Sequence, residues 1–213
     1  MRLYAAGAAL VGWLALVLQL YLLLTVSLTN GNGLVVGTMR FFSFFTILTN
    51  LLAALALTSA WLHKGAGANT TRFLARPSVN TGIAASIALV GIAYNLLLRH
   101  LWQPQGLQWV ADELLHDVMP VVFVLYWWLF VAERRYGWRD ALRWLVYPAL
   151  YFVYALGQGG LSGWYPYPFL DVAQLGYARV LANAAGVLSG FVVIAFVLVM
   201  LDRLKADGST REP

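Results

Sequence analysis

Residues Leu3–Leu28 read LYAAGAALVGWLALVLQLYLLLTVSL, an apolar run without a charged side chain. A helix that crosses a bilayer needs about 20 such residues, so this run is long enough to span the membrane. It is also longer than the apolar region of a signal peptide, which favours a span that the protein keeps. This stretch therefore predicts an integral membrane protein.

Five further apolar runs follow along the chain of 213 residues. The composition agrees, because 61% of the residues are hydrophobic and only 11% are charged, against about 25% charged residues in soluble domains. We therefore expect an all-α membrane helix bundle in which residues 1–213 form a single transmembrane domain. Its six predicted spans are Leu3–Leu28, Phe41–Trp61, Val79–Leu98, Ala111–Val131, Trp144–Leu161 and Ala178–Leu201.

The positions of Lys and Arg predict the orientation, because cytoplasmic loops of membrane proteins are enriched in these residues. With the N-terminus inside, only Arg40, Arg99 and Arg179 of the 14 basic residues lie on the outer side. The others fall in cytoplasmic segments: Arg2, Lys64, Arg72, Arg76, Arg134, Arg135, Arg139, Arg143, Arg203, Lys205 and Arg211. Both termini are therefore predicted to be cytoplasmic. The net charge of +5 then meets lipid headgroups, and we expect no nucleic-acid partner.

The chain contains no cysteine. Disulfides, thiolate nucleophiles and cysteine metal sites are therefore excluded, and we expect no cofactor and no metal. Polar groups inside hydrocarbon are costly, so the polar residues of the spans carry most of the functional information.

The second span opens with polar side chains at Ser43, Thr46 and Asn50, which lie on one face of a continuous helix. Such residues often bond to carbonyls of their own helix or join neighbouring helices, which is the structural interpretation. The functional interpretation is that Thr46 supplies a reactive hydroxyl, with Asn50 beside it.

The fourth span opens with the densest ionisable cluster near the hydrocarbon, Asp112-Glu113-Leu114-Leu115-His116-Asp117. Asp112 precedes His116 by four residues, so its carboxylate can hold one imidazole nitrogen and leave the other for a substrate. Pro120 frees the carbonyl of His116 from its helical hydrogen bond. The alternative is a solvated histidine at the end of a span.

A third polar segment is the predicted outer loop from Gly157 to Asp171, where glycines favour mobility and Pro166 and Pro168 favour an extended chain. Its aromatic residues indicate either a lid or an ordinary aromatic anchor. The topology places this loop, Thr46 and His116 at one face, where a hydroxyl, a histidine and a carboxylate can form an activated-nucleophile site. Candidate substrate contacts at this face are Asn50, Asn95, Arg99, Asp117, Trp164, Tyr165, Arg179 and Asn183.

Four segments together resemble the bacterial six-span membrane proteins called Pr6Pr: Arg40–Asn50, Leu115–Pro120, Tyr147–Pro148 and Gly163–Asp171. That family is similar to eukaryotic androgen-induced integral membrane proteins, which hydrolyse fatty acid esters of hydroxy fatty acids with an intramembrane threonine and a histidine. The resemblance covers nearly the whole chain and implies a multi-pass protein of the bacterial inner membrane. It matches the threonine to Thr46 and the histidine to His116.

The sequence departs from the eukaryotic pattern after the histidine, where Asp117 stands in place of a Thr-Thr pair and Pro120 lies one residue nearer. Alignment around the second span also leaves Thr49 as an alternative to Thr46. The resemblance therefore implies the fold more strongly than the reaction.

The working hypothesis is a hydrolase of acyl-ester lipids in which His116 acts as general base on the Thr46 hydroxyl. Either Asp112 or Asp117 would orient the imidazole, and no residue identifies an oxyanion hole. A lipid or small-molecule carrier is one alternative, although no inverted repeat or midplane charge indicates it. A non-catalytic scaffold is another, and it predicts that Thr46 and His116 lie apart. The sequence predicts the bilayer as a partner and no particular oligomeric state.

Overall fold

The computed structural model describes residues 1–62, 73–131 and 135–209, and the regular structure in these ranges is helical throughout. The helices are α1 (Arg2–Thr29), α2 (Gly33–Ser43), α3 (Phe45–Leu62), α4 (Pro77–Ala93), α5 (Leu107–Glu113), α6 (Met119–Phe130), α7 (Trp138–Trp144), α8 (Val146–Ser162) and α9 (Val172–Ser209). Helix α9 is kinked at Gly176, whose backbone is not helical (φ 71°, ψ 158°). Short π-helical and 3₁₀ turns extend α4 to Leu101, and a π-helical turn joins α5 to α6.

Five helical stretches are long and apolar enough to cross a membrane: Arg2–Thr29, Phe45–Leu62, Pro77–Leu101, Leu107–Phe130 and Val172–Asp207. The chain is therefore an all-α, multi-pass membrane protein. Helix α8 has 17 residues and covers about 26 Å at 1.5 Å per residue, slightly less than a hydrocarbon core of about 30 Å.

Small side chains form the contact between α1 and α3. Buried alanines lie on both helices, and a Cβ atom at Gly12 of α1 would lie 3.3 Å from that of Ala54 of α3. Membrane helices gain no hydrophobic energy by leaving lipid, so close backbone approach through small residues is a main source of their packing energy. Large apolar side chains such as Leu3, Val153 and Leu161 point outward, as they do where the surrounding solvent is lipid.

The predicted second span, Phe41–Trp61, is not one helix. Phe44 adopts an extended conformation (φ −84°, ψ 130°) between α2 and α3. Ser43 therefore belongs to α2, where its hydroxyl donates to the carbonyl of Met39 (2.7 Å) and does not share a continuous helical face with Thr46 and Asn50. Thr46 instead lies in the first turn of α3, where backbone N–H groups lack a helical acceptor.

The predicted fifth span, Trp144–Leu161, starts in α7 and continues as α8 after a turn at Leu145. Pro148 explains the interruption, because it has no N–H to donate to the carbonyl of Trp144 and its ring crowds that carbonyl.

The prediction of a mobile loop from Gly157 to Asp171 is wrong for the first half of this segment. Helix α8 continues through Gly157, Gly159 and Gly160 to Ser162, and ends at Gly163 in a left-handed conformation (φ 69°). A Cβ atom at Gly159 would lie 2.1 Å from a ring atom of Tyr165. Glycine is therefore present at this position for close packing of the ring.

The two ends of the bundle differ in charge. At the end away from Thr46, Arg2 Nε donates to the carbonyl of Trp61 (3.1 Å), and Arg203 Nε donates to that of Tyr136 (2.8 Å). The described basic residues of this basic end are Arg2, Arg76, Arg135, Arg139, Arg143, Arg203 and Lys205. Lys64, Arg72, Arg134 and Arg211, which the orientation prediction also uses, lie outside the described residues.

Candidate active site

The hydroxyl of Thr46 and the imidazole of His116 meet at the end of the bundle opposite the basic end. Thr46 Oγ1 lies 3.3 Å from His116 Nε2, and the Thr46 side chain is buried. Thr46 belongs to the first turn of α3, and His116 to the π-helical turn Leu114–Val118. Two residues that are 70 positions apart in the chain are thus within hydrogen-bonding reach.

One buried amide holds these two elements together. Asn50 Nδ2 donates to the carbonyl of Thr46 (2.9 Å) in its own helix and to that of Leu115 (3.1 Å) across the interface. Pro120 lacks an N–H, so the π-helical turn before it has carbonyls that need other partners. Asn50 therefore links α3 to the turn that carries His116, and it does not line the cavity described below.

Helix α4 approaches the same turn closely. A Cβ atom at Gly91 would lie 3.1 Å from the carbonyl oxygen of His116. This is the carbonyl that Pro120 was predicted to free, and α4 packs directly against it.

The hydrogen bonds of the imidazole assign its tautomer. His116 Nδ1 lies 3.0 Å from the backbone carbonyl oxygen of Asp112 and 3.3 Å from its carboxylate Oδ1. Both of these atoms accept hydrogen bonds, so we assign the proton to Nδ1. Nε2 then carries the free lone pair, and that lone pair faces the Thr46 hydroxyl. This is the arrangement that a general base requires.

Tyr94 contacts both the carboxylate of Asp112 and the imidazole of His116. Its hydroxyl donates to Asp112 Oδ2, and its ring stacks on the imidazole of His116 with centroids 3.8 Å apart and planes inclined by 14°. The carboxylate of Asp112 is itself buried. The orientation of the imidazole is thus fixed by a carboxylate on its edge and an aromatic ring on its face.

Tyr167 covers Thr46 from the segment between α8 and α9. Its hydroxyl oxygen accepts a hydrogen bond from the backbone N–H of Thr46 (3.3 Å) and lies 3.4 Å from Thr46 Oγ1. The ring of Phe169 stacks on that of Tyr167, and the ring of Phe44 meets it edge-on. Burial raises the pKa of the Tyr167 hydroxyl, so the group stays protonated and can donate at neutral pH.

A cavity of about 360 Å³ opens in front of the hydroxyl and the imidazole. Thr46, Tyr94, Asp112, His116 and Tyr167 all contribute to its wall. The other lining residues are Gln19, Leu23, Phe44, Ile47, Leu98, Leu101, Trp102, Gln108, Leu115, Pro166 and Pro168. On the far side of Thr46, a smaller chamber of about 50 Å³ is lined mainly by apolar side chains, including Leu89, Phe152 and Val187.

Three predicted substrate contacts form a separate ion-pair cluster. Arg99 pairs with Asp117 and, at 2.9 Å, with Glu113. Asn95 Nδ2 donates to Asp117 Oδ1 (2.8 Å). Neither Asn95, Arg99 nor Asp117 lines the cavity. Of the two carboxylates considered for orienting the imidazole, Asp112 is therefore the one that contacts it.

Four further predicted contacts also lie outside the cavity wall. Trp164 packs edge-on against Phe44 under the guanidinium of Arg40, and Tyr165 packs on Gly159. Asn183 Nδ2 donates to the carbonyl of Phe169 (3.0 Å), so it holds in place residues 164–170, the aromatic segment between α8 and α9. Arg179 is exposed on α9.

Thr49, the alternative nucleophile, points elsewhere. It is fully buried, and its hydroxyl lies 3.1 Å from that of Tyr147.

Besides its apolar residues, sequence reasoning missed five residues of the cavity wall whose side chains can form hydrogen bonds: Gln19, Tyr94, Trp102, Gln108 and Tyr167. Gln19 gave a usable signal, because it is the lone amide in the first apolar run. Tyr167 lies within the Gly163–Asp171 block that carries the family resemblance. The stacking of Tyr94 on His116 depends on contacts between distant elements, which local sequence patterns do not record.

In the ranges that the structure describes, no group of three or more His, Asp or Glu side chains is placed to hold a metal ion. Comparison of the chain with protein-family models, with curated proteins and with solved structures finds no match. The chemistry of this site therefore has to be inferred from its own geometry.

Proposed function

We propose that this chain is an intramembrane hydrolase of lipid esters, with Thr46 as the nucleophile and His116 as the general base. The observation that carries the proposal is the distance of 3.3 Å between His116 Nε2 and Thr46 Oγ1, at the wall of a cavity. Asp112 completes the arrangement by fixing the tautomer and stabilising the imidazolium that forms during the reaction.

In the first half of the reaction, Thr46 Oγ1 attacks the carbonyl carbon of the ester while its proton moves to His116 Nε2. The tetrahedral intermediate collapses, the bond to the alcohol oxygen breaks, and that oxygen takes the proton from Nε2. In the second half, His116 removes a proton from water, which attacks the acyl-threonine. Collapse of the second intermediate releases the acid and returns the proton to Thr46 Oγ1.

Tyr167 is the proposed hydrogen-bond donor to the oxyanion. The sequence alone identifies no residue for this role. Its hydroxyl lies 3.4 Å from the attacking oxygen, close to where the carbonyl oxygen of a bound ester becomes negative. The first turn of α3 supports the same role, because the backbone N–H of Thr46 donates to the hydroxyl oxygen of Tyr167 (3.3 Å) and the positive end of the helix dipole lies there.

For the topology we propose six spans with both termini in the cytoplasm, including α8 as the fifth membrane-crossing helix. The separation of the basic end from the site end supports this orientation. The site then opens toward the outer leaflet of a bacterial inner membrane, as the resemblance to Pr6Pr proteins implies.

The test is hydrolysis of long-chain acyl esters by the purified protein in lipid nanodiscs, together with labelling by a fluorophosphonate. We expect the wild-type protein to hydrolyse the ester and to carry the label on Thr46. Thr49→Ala is the matched control, since it removes a buried hydroxyl from the same helix without touching His116. If the wild-type protein neither hydrolyses esters nor takes the label, a lipid carrier becomes the better explanation of the cavity.

A further inference from the structure

The charge of the cavity wall limits what the cavity can hold. Among the residues that the structure describes, neither lysine nor arginine lines it. Asp112 is the one carboxylate in the wall, and it is buried against Tyr94 and His116. Apart from a protonated His116, the wall therefore offers no positive charge to an anionic ligand.

Two cations outside the wall, Arg99 and Arg40, already contact other groups, and the guanidinium of Arg99 lies 5.2 Å from the ring centroid of the wall residue Tyr94. Arg99 is paired with the carboxylates of Glu113 and Asp117, so this cluster carries more negative than positive charge. The guanidinium of Arg40 lies 5.0 Å from the ring centroid of Trp164, on a residue that does not line the cavity. An anion in the cavity would share its wall with the carboxylate of Asp112 and would meet no lysine or arginine among the described lining residues.

The wall does offer neutral hydrogen-bonding groups. Gln108 Nε2 donates to Gln19 Oε1 (2.9 Å) across the contact between α5 and α1. After this bond each amide retains further hydrogen-bonding capacity, because a primary amide has two N–H donors and an oxygen with two lone pairs. Gln19 lies ten residues before the end of α1, about 15 Å along the helix, and Gln108 meets it from the first turn of α5.

These features favour one class of ligand. A carboxylate or phosphate that enters an apolar cavity without a cation loses its hydration and gains no ion pair, whereas a hydroxyl or amide can be satisfied by the glutamine pair. We propose that the cavity selects lipids that are uncharged near the ester bond, such as esters of neutral alcohols, and rejects those that carry a carboxylate there. The ester chemistry of this inference rests on the proposed function, whereas the charge selectivity does not.

The selectivity is tested by binding, so that the result does not depend on hydrolysis. Two non-hydrolysable ether analogues with the same chains are compared, one ending in a carboxylate and the other in a primary carboxamide. Binding of tritiated analogues to the wild-type protein in phosphatidylcholine nanodiscs is measured at about pH 8, where a free carboxylate is ionised. Binding to protein-free nanodiscs is subtracted.

We expect the carboxamide to bind at least about tenfold more tightly than the carboxylate. Equal binding, tighter binding of the carboxylate, or no binding of either analogue overturns the inference. Selective binding of the carboxamide by a protein that hydrolyses no ester would leave the selectivity standing and remove the proposed function.

A charge placed in the wall gives a second test. Gln108→Arg should lower the preference for the carboxamide at least about tenfold, because it supplies the missing cation. Gln105→Arg is the matched control, since Gln105 is exposed in the neighbouring loop and does not line the cavity. If both variants shift the preference equally, the effect comes from overall charge and the inference is wrong. The wild-type comparison remains decisive if Gln108→Arg does not fold.

Discussion

At the scale of single residues, the site consists of a hydroxyl, an imidazole and a carboxylate whose hydrogen bonds assign each a different role. Nδ1 of His116 faces two oxygens of Asp112, and Nε2 faces Thr46. Groups that act in one chemical step lose most of their effect when any one of them is removed.

Thr46→Ala and His116→Ala should therefore each remove nearly all ester hydrolysis, and the double variant should be little worse than either single one. The measurement is kcat/KM for a long-chain acyl ester in nanodiscs, with thermal unfolding as the check on folding. Losses that multiply in the double variant would show that the two residues act independently, contrary to the proposed mechanism.

The two carboxylates next to His116 in sequence should differ in effect. Asp112→Asn removes the charge that fixes the imidazole, and we expect kcat to fall by about 10³-fold or more. Asp117→Asn removes a partner of Arg99 outside the cavity and should change kcat by less than about tenfold. Equal losses in the two variants would contradict the assignment of Asp112 as the orienting group.

Tyr167→Phe tests the oxyanion donor, because the ring keeps its packing on Phe44 and Phe169 and only the hydroxyl is lost. We expect kcat to fall by about 10²-fold or more with little change in KM, since the donor acts on charge that develops in the transition state. Tyr4→Phe is the control, as its hydroxyl donates to the carbonyl of Val122 (2.8 Å) and Tyr4 does not line the cavity. A rise in KM without a fall in kcat would instead indicate a role in substrate binding.

At the scale of helices, the break at Phe44 decides where Thr46 points. No proline or glycine marks this break in the sequence, which reads Arg-Phe-Phe-Ser-Phe-Phe-Thr from Arg40 to Thr46. The hydroxyl of Tyr151 donates to the carbonyl of Ser43 (2.8 Å) and that of Tyr154 to the carbonyl of Phe42 (3.3 Å). Carbonyls that the break leaves without helical partners are thus satisfied from α8, more than 100 residues away in sequence.

Some features of the fold and site can be predicted from the sequence, and others cannot. The apolar runs, the charge bias between ends, and the candidates Thr46, His116 and Asp112 follow from composition, spacing and depth. The break at Phe44 and the stacking of Tyr94 depend on side chains from other helices, so a local pattern predicts neither. Arg99 and Asp117 are charged and lie at the predicted depth, which made them candidates for substrate contacts. Their pairing with each other outside the cavity depends on how each helix is rotated about its axis, which the sequence does not determine.

The junction between α8 and the aromatic segment gives a prediction at this scale. Gly159→Ala places a methyl group where the ring of Tyr165 packs, so the ring and the segment that carries Tyr167 must shift. We expect a loss of about 1–3 kcal/mol in unfolding free energy, together with lower hydrolytic activity. Gly160→Ala is the matched control, because its Cβ would meet no other atom within 4 Å. Equal stability of the two variants would contradict the packing role of Gly159.

At the scale of the whole molecule, the bundle is polarised. Seven of the ten basic residues that the structure describes lie at one end, whereas the cavity, the ion-pair cluster around Arg99 and residues 164–170 lie at the other. At one end of the spans, the proposed catalytic pair would meet the ester groups of lipids, which lie near the membrane surface. The side of the membrane to which the cavity opens thus determines which leaflet supplies the substrate.

The absence of cysteine makes this orientation measurable by single introduced thiols. With six spans, Asn32→Cys, Gln105→Cys and Ser162→Cys should react with a membrane-impermeant maleimide on intact cells, since each position is exposed at the site end. Ala75→Cys and Arg139→Cys, at the basic end, should react only after permeabilisation.

The pair Arg139 and Ser162 tests α8 directly, because their thiols lie on opposite sides only if this 17-residue helix crosses the bilayer. Labelling of both from the same side would reduce the count to five spans and place the C-terminus opposite the N-terminus. The reverse pattern at Asn32 and Ala75 would turn the cavity to the cytoplasmic leaflet and leave the chemistry of the site unchanged.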